Sequence, residues 1–175
     1  MSNFIIREPR LSDTPAIRPM LERWVTDRDT GAVLTDEIAA DIAKIEASIN
    51  DNSPPRLLVA EEAGRVVGMM GIQPPTEQIL VYATTKNPAE LTFALVSDEA
   101  QGNSIGTTLV NVLTKHAISE GSTELVVGSS QRYKTAGWPF WRKLFGEPVG
   151  IAAGYGGSGG DAMIWRKSLN APETT

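Results

Sequence analysis

The chain has 175 residues, the size of one domain, with 41% apolar and 21% charged side chains, which is ordinary globular usage. It has no Cys and a single His, His116, which excludes a disulfide framework, a thiolate nucleophile and a Cys- or His-rich metal centre. Sixteen Lys and Arg against 21 Asp and Glu leave a net charge of −5, which argues against a dedicated nucleic-acid binder, and no apolar run approaches the ~18 residues of a membrane helix.

In chain order, residues 4–7 (Phe-Ile-Ile-Arg) read as a short strand. Ser12-Asp13-Thr14-Pro15 then reads as a helix start, continued by Ile17, Met20, Leu21 and Trp24, with Pro19 expected to kink or delay it. Thr35 and Asp36 can cap a second helix, whose stripe is Ile38, Ile42, Ile45 and Ile49. Residues 56–61 and 65–72 read as strands joined by the hairpin signal Glu62-Ala63-Gly64. After Pro74-Pro75, residues 78–82 read as a strand extension or a further strand, and 91–96 as another strand. Ile105, Leu109, Val112, Leu113 and His116 share one face of a helix ending near Gly121, and His116 there reads as a packed or half-exposed side chain. A strand at 124–127, a short helix at 138–145 and a last strand at 161–167 complete the order β α α β β β α β α β. This alternation implies an α/β (α+β) architecture, a mixed sheet with helices on its faces. Five of the seven residues 154–160 are Gly, read as a hairpin tip or as a flap beside a site. Trp24, Trp138 and Trp165 read as packing residues.

The chemically informative segment is Gln101-Gly102-Asn103-Ser104-Ile105-Gly106-Thr107. It follows an apolar strand and opens an apolar helix, so unpaired amides and the helix dipole converge where an anion such as a phosphate can bind. Neither the Walker A pattern nor G-x-G-x-x-G is present.

Gln101-x-x-Ser104-x-Gly106 resembles the Gln/Arg-x-x-Gly-x-Gly/Ala signature of the GNAT superfamily of N-acetyltransferases. The strand at 91–96, the Ser97-Asp98-Glu99-Ala100 turn, the hairpin at 61–68 and Phe140-Trp141-Arg142-Lys143-Leu144-Phe145-Gly146 resemble that family's segments in the same order, over about residues 4–168. The resemblance implies a single domain over 1–175 with a polar tail at 169–175. It implies a mixed, mostly antiparallel sheet of six to seven strands, splayed between strands four and five, with about four helices on both faces.

The family's activity would be direct transfer of an acetyl or other acyl group from acetyl-CoA to a primary amine of a small molecule or peptide. By the same resemblance, no covalent enzyme intermediate, metal, nucleic acid or membrane would be involved. The pyrophosphate would rest on the amides of Gln101, Gly102, Asn103, Ser104, Ile105, Gly106 and Thr107. The pantetheine would pair with the strand edge at Leu95, Val96 and Ser97, an amide near Val96 polarising the thioester carbonyl. Glu90 is the first candidate for the general base, with Glu99 and Glu77 as alternatives. Trp141 stands where the family often has the Tyr that protonates the leaving thiolate. Indole cannot do this, so Tyr133 becomes the candidate acid, with Tyr155 and Tyr82 as other options. Lys134, within the cluster Arg132, Lys134, Arg142 and Lys143, is the candidate partner of the CoA 3′-phosphate. Asp27, Asp29, Asp36 and Glu77 would form an acidic rim that attracts a cationic amine. A CoA-binding module with weak or no catalysis is the alternative that Ser104 and Trp141 raise. A homodimer is consistent with family habit. The expected compartment is the cytoplasm, since cysteine is absent and residues 1–4 lack a secretory pattern.

Overall fold

A computed structural model gives the fold and describes residues 3–169, so most of the expected polar tail, 170–175, lies outside the described residues. Seven strands form one sheet in the order β1-β2-β3-β4-β5-β7-β6. They are β1 (Phe4–Arg7), β2 (Arg56–Glu62), β3 (Arg65–Gln73), β4 (Pro88–Val96), β5 (Glu124–Ser130), β6 (Gly150–Ala152) and β7 (Ala162–Ser168). Every pairing is antiparallel except β4 with β5. The helices are α1 (Thr14–Trp24), α2 (Thr35–Asp51), the single turn α3 (Glu77–Leu80), α4 (Ile105–Ser119) and α5 (Gly137–Phe145).

The isoleucine stripe of α2 and the apolar face of α1 bury Ile17, Leu21, Ile38 and Ile45 on one face of the sheet. Ile105, Leu109 and Leu113 of α4 and Trp141 of α5 cover the other. Helix α1 runs through Pro19. The missing N–H costs one bond in the second turn, and burial of Ile17, Met20 and Leu21 holds the helix on both sides of it. Thr35 is the first residue of α2 and not its cap; Leu34 stands at that position and no side chain caps the helix. Asp36 and Glu37 in the first turn complement the dipole instead. The β2–β3 turn falls on Ala63 and Gly64, at φ +49° and +77°, the two left-handed positions that a tight hairpin requires.

Residues 78–82 form no strand. Both edges of β3 are already taken by β2 and β4, so the segment turns once as α3 and drops the fully buried Ile79 onto Val126 and Ile164. Strand β6, unforeseen in the sequence, is three residues long and takes its place only by pairing with β7. The Gly-rich stretch links these two strands. Trp138 and Trp165 pack within the core, each indole N–H donating to a backbone carbonyl, Ser129 at 3.0 Å and Gly146 at 3.1 Å. His116 is half-buried on α4. Arg7 joins three elements, with Nε 2.6 Å from Glu61 and the two terminal nitrogens 2.7 and 2.9 Å from Asp13. The guanidinium holds the Asp13 carboxyl below the usual range. No helix among the described residues is long and apolar enough to cross a membrane.

Candidate active site

Strands β4 and β5 pair only over Pro88–Leu91 against Glu124–Val127, then part. At the closed end the buried Glu124 accepts from the Thr84 amide and hydroxyl at 2.8 and 2.7 Å, fixing the loop that feeds β4. Beyond Leu91, β4 is bulged. Met69 faces Leu95 and Gly71 faces Thr92, so Phe93 and Ala94 together oppose Met70. Phe93 takes φ +51°, an unusual conformation for an aromatic residue, and the strand bends there. Past the bulge, the Ser97 N–H donates to Val67 C=O on β3 at 2.9 Å. Alternation therefore turns the Val96 N–H and C=O toward the open side, where β5 no longer reaches. Among the described residues the Val96 carbonyl meets only the Gln101 side-chain amide, at 3.5 Å.

The start of α4 closes the same opening. Thr108 N–H finds Ser104 C=O at 2.9 Å as the first intrahelical bond, and no side chain caps the helix. The amides before it are left to an external acceptor. Ser104 sits at φ +64°, ψ 10°, the left-handed region that a glycine adopts without cost. Its C=O still makes the first helical bond, so the loop has the shape that the signature glycine would give it.

A cavity of about 750 Å³ runs between these elements. Leu95, Val96, Gln101, Gly102, Ser104, Ile105, Gly106 and Thr107 line one side of it, and Glu90 and Tyr133 line the rest with α1 and α2. Ser97, Asn103 and Lys134 are not among its lining residues; the Lys134 ammonium lies 5.8 Å from the Trp138 ring centre instead. Of the basic cluster, Arg142 is 3.6 Å from Glu147, while the exposed Lys143 reaches the cavity. Trp141 is 3% exposed and packs edge-on against Phe140 and Phe145, a core role.

Glu90 is 2% exposed, with one carboxylate oxygen accepting from the Thr76 N–H at 2.7 Å and the other from the Tyr155 hydroxyl at 3.1 Å. Burial, and then the Glu90 charge, push the Tyr155 phenol well above its ordinary range. The Gly-rich stretch delivers Tyr155. It is held by Arg28 N–H to Ser158 C=O at 3.2 Å and by Arg132 Nη2 to Gly156 C=O at 3.0 Å. A side chain at Gly159 would strike the Arg132 guanidinium. Tyr133 meets Trp24 edge-on at 6.3 Å, and burial raises its phenol to about 12. Tyr82 is spent elsewhere, donating to Ile151 C=O at 2.7 Å.

The acidic rim lies elsewhere than expected. Asp27 accepts from the Asp29 and Thr30 amides and the Thr30 hydroxyl within its own turn, and none of Asp27, Asp29, Asp36 or Glu77 lines the cavity. Glu37 and Asp41 of α2 do. Their spacing, with Lys44, is helical and visible in the sequence. A polar stripe of this kind is what any solvated helix shows, so nothing in the sequence alone set it apart. Burial, and then the Glu37 charge, raise the Asp41 carboxyl to about 6. No group of three or more potential metal ligands occurs among the described residues.

Residues 19–155 match the model of the acetyltransferase (GNAT) family, and the chain belongs to that family. No curated protein matches the sequence. Among solved structures, a GNAT-family protein of Desulfovibrio desulfuricans is similar at 15% identity over 96% of this chain and 100% of that one, with a TM-score of 0.74. An aminoglycoside 6′-acetyltransferase of type Ii is similar at 20% identity over 95% and 97%, TM-score 0.69. The PaiA N-acetyltransferase of Thermoplasma acidophilum, solved in complex with coenzyme A, is similar at 18% over 95% and 99%, TM-score 0.67.

Ser104→Gly is expected to raise stability by roughly 0.5–1 kcal/mol, the left-handed cost removed less the extra chain entropy of Gly; a urea titration that shows a loss instead would give the Ser104 side chain a structural role. Asp41→Asn should also stabilise. A carboxyl raised from 3.8 to about 6 disfavours the folded state once it ionises. The full shift converts to ~3 kcal/mol at about 1.4 kcal/mol per unit, but partial hydration reduces this to about 1 kcal/mol at pH 7. The gain should fade as the pH falls through 6 toward 4, which paired melts across that range will show.

Proposed function

We propose that the chain is an acyl-CoA-dependent N-acyltransferase that moves an acetyl group from acetyl-CoA directly to a primary amine of a small molecule or peptide. One observation carries this reading. The unpaired edge of β4 and the unpartnered amides at the start of α4 open into the same cavity as a buried, hydrogen-bonded carboxylate, Glu90.

Coenzyme A fits the groups present. Its pyrophosphate suits the amides of Gly102 to Thr107, with Lys143 as the nearby cation, and its pantetheine amides suit the Val96 N–H and C=O. Family membership and the CoA-bound relative support this assignment. In the transfer, the amine nitrogen bonds to the thioester carbonyl carbon, the carbon–sulfur bond breaks, and the sulfur leaves as thiolate. The Val96 N–H would stabilise the charge that develops on the carbonyl oxygen. The attacking amine must shed a proton, and Glu90 would receive it, directly or through the Tyr155 hydroxyl. Tyr133 keeps its proton at neutral pH because its phenol stands near 12. That exceeds the ~8.5 of an ordinary thiol, so its service to the leaving sulfur is a donated hydrogen bond, and full protonation is left to solvent. The domain would span residues 1–175, since both apolar layers share one sheet.

The test is calorimetry with CoA and acetyl-CoA, followed by thiol release over polyamines, amino acids, aminoglycosides and peptide N-termini. Binding together with release from at least one class is expected. Glu90→Gln should cut kcat by about 10²-fold at neutral pH, with part of it regained at alkaline pH where the free amine is more abundant. Kinetics like those of the wild type would remove Glu90 from the proton path. Binding without release from any amine would leave a CoA-binding module.

A further inference from the structure

Glu90 is the buried carboxylate of the cavity, yet it offers the cavity almost no free surface. It is 2% exposed, and each of its oxygens already accepts a hydrogen bond, Oε2 from the Thr76 N–H at 2.7 Å and Oε1 from the Tyr155 hydroxyl at 3.1 Å. Tyr155 is half-buried and lines the same cavity, so it stands both on the cavity wall and against the carboxylate. Three contacts hold it there. Its ring packs on the fully buried Ile79 of α3. It passes over Gly128 of β5, where a Cβ would stand 3.4 Å from Tyr155 Cε1 and only 2.8 Å from Ile79 Cδ1. Next to it in the chain, the Gly156 carbonyl accepts from Arg132 Nη2 at 3.0 Å, and the Arg132 side chain, 3% exposed, is anchored in turn on Glu37. A phenol both donates and accepts, so with its own proton directed at Glu90 the Tyr155 oxygen can receive another.

We propose that Tyr155 is a catalytic residue, the relay through which Glu90 takes the acceptor's proton: the amine touches the Tyr155 hydroxyl and not the carboxylate. This rests on the acyltransferase reading of the cavity and names the atom that the amine meets. As the amine nitrogen bonds to the thioester carbonyl carbon it becomes positively charged. Its proton passes to the Tyr155 oxygen, the Tyr155 proton passes to Glu90 Oε1, and the carbon–sulfur electron pair leaves with the sulfur. Tyr155 ends neutral and Glu90 ends protonated, and the proton returns to solvent by the same two steps reversed once the product has left. Burial and the Glu90 charge push the phenol well above its ordinary range, so a free phenolate is too costly an intermediate and the two protons move together. The Gly-rich stretch is then the arm that carries the relay, and Arg132 is a positioning residue for it.

The experiment measures single-turnover thiol release from bound acetyl-CoA with spermidine, kanamycin and trialanine as probe amines, following the fastest of the three. The proteins are the wild type, Tyr155→Phe, Glu90→Gln and the double variant, with CoA calorimetry on each. Tyr155→Phe keeps the ring that packs on Ile79 and removes only the hydroxyl, so CoA affinity should stay the same while the rate falls by about 10²-fold, as for Glu90→Gln. The double variant should be no slower than either single one, because the two groups act as one unit. In mixtures of light and heavy water the wild-type rate should follow a bowed curve, as two protons in flight require, and Tyr155→Phe a straight line; a merely structural role for the hydroxyl would leave the curvature unchanged. A Tyr155→Phe rate like that of the wild type beside a slow Glu90→Gln, or losses that multiply in the double variant, overturns the relay alone. A chain that binds no CoA at millimolar concentration, or releases no thiol with any of the three amines, overturns the acyltransferase reading and the relay with it.

Discussion

The parting of β4 from β5 is the constraint on which the site depends. Parallel strands that continued to pair would bury every backbone group and leave no room between them. Here the pairing stops after Leu91, and the extra residue at Phe93–Ala94 bends β4 away while β3 still holds it. A sheet interior thereby gains an internal edge, where β5 no longer pairs and the Val96 carbonyl meets the Gln101 side-chain amide at 3.5 Å. The start of α4, with its own unpartnered amides, faces the same gap. Both sets of groups are costly to leave bare in a dry setting, and both suit a ligand rich in amides and phosphates.

The opposite side of the cavity has a different physical basis. Its walls come from α1, α2, the turn after β5 and the Gly-rich stretch before β7, segments far apart in the chain. The Arg132–Glu37 pair and the Arg132 bond to Gly156 tie three of these together. With the Glu37 side chain 44% exposed, the pair is weak evidence for net stability, because solvent screens the carboxylate while the guanidinium is desolvated. Its value here lies in geometry: it holds the stretch that places Tyr155 over Glu90. Glycine at 159 is what lets that stretch approach the guanidinium.

Much of the fold was legible because its signals are local. The α2 isoleucines, the Ala63-Gly64 turn and the apolar run into Gln101–Gly106 are each decided by neighbours in sequence. Residues 78–82 misled because an apolar, β-branched run favours a strand only where a sheet edge is free. Strand β6 is too short to show a period and exists through β7. The bulge at Phe93 left no mark, since an aromatic residue in a strand is ordinary. Pro19 counted for less than expected because tertiary burial outweighed one lost bond.

By itself, the sequence determined the family to which the chain belongs and the local elements that carry its motifs. The chain has no thiol and a single imidazole, set far along α4, and its loop into α4 presents main-chain amides that no side chain caps. Those properties reside in residue identity and local geometry. Tertiary structure alone decided which carboxylates are buried and which line the cavity. Glu90 became a buried group between Thr76 and Tyr155, 65 residues apart from the latter, and the expected rim at Asp27 closed on its own turn. Asp41, one polar residue among many on α2, came to stand half-buried on the cavity wall. Burial and pairing depend on what the whole chain brings to a point, and no window of sequence contains that information.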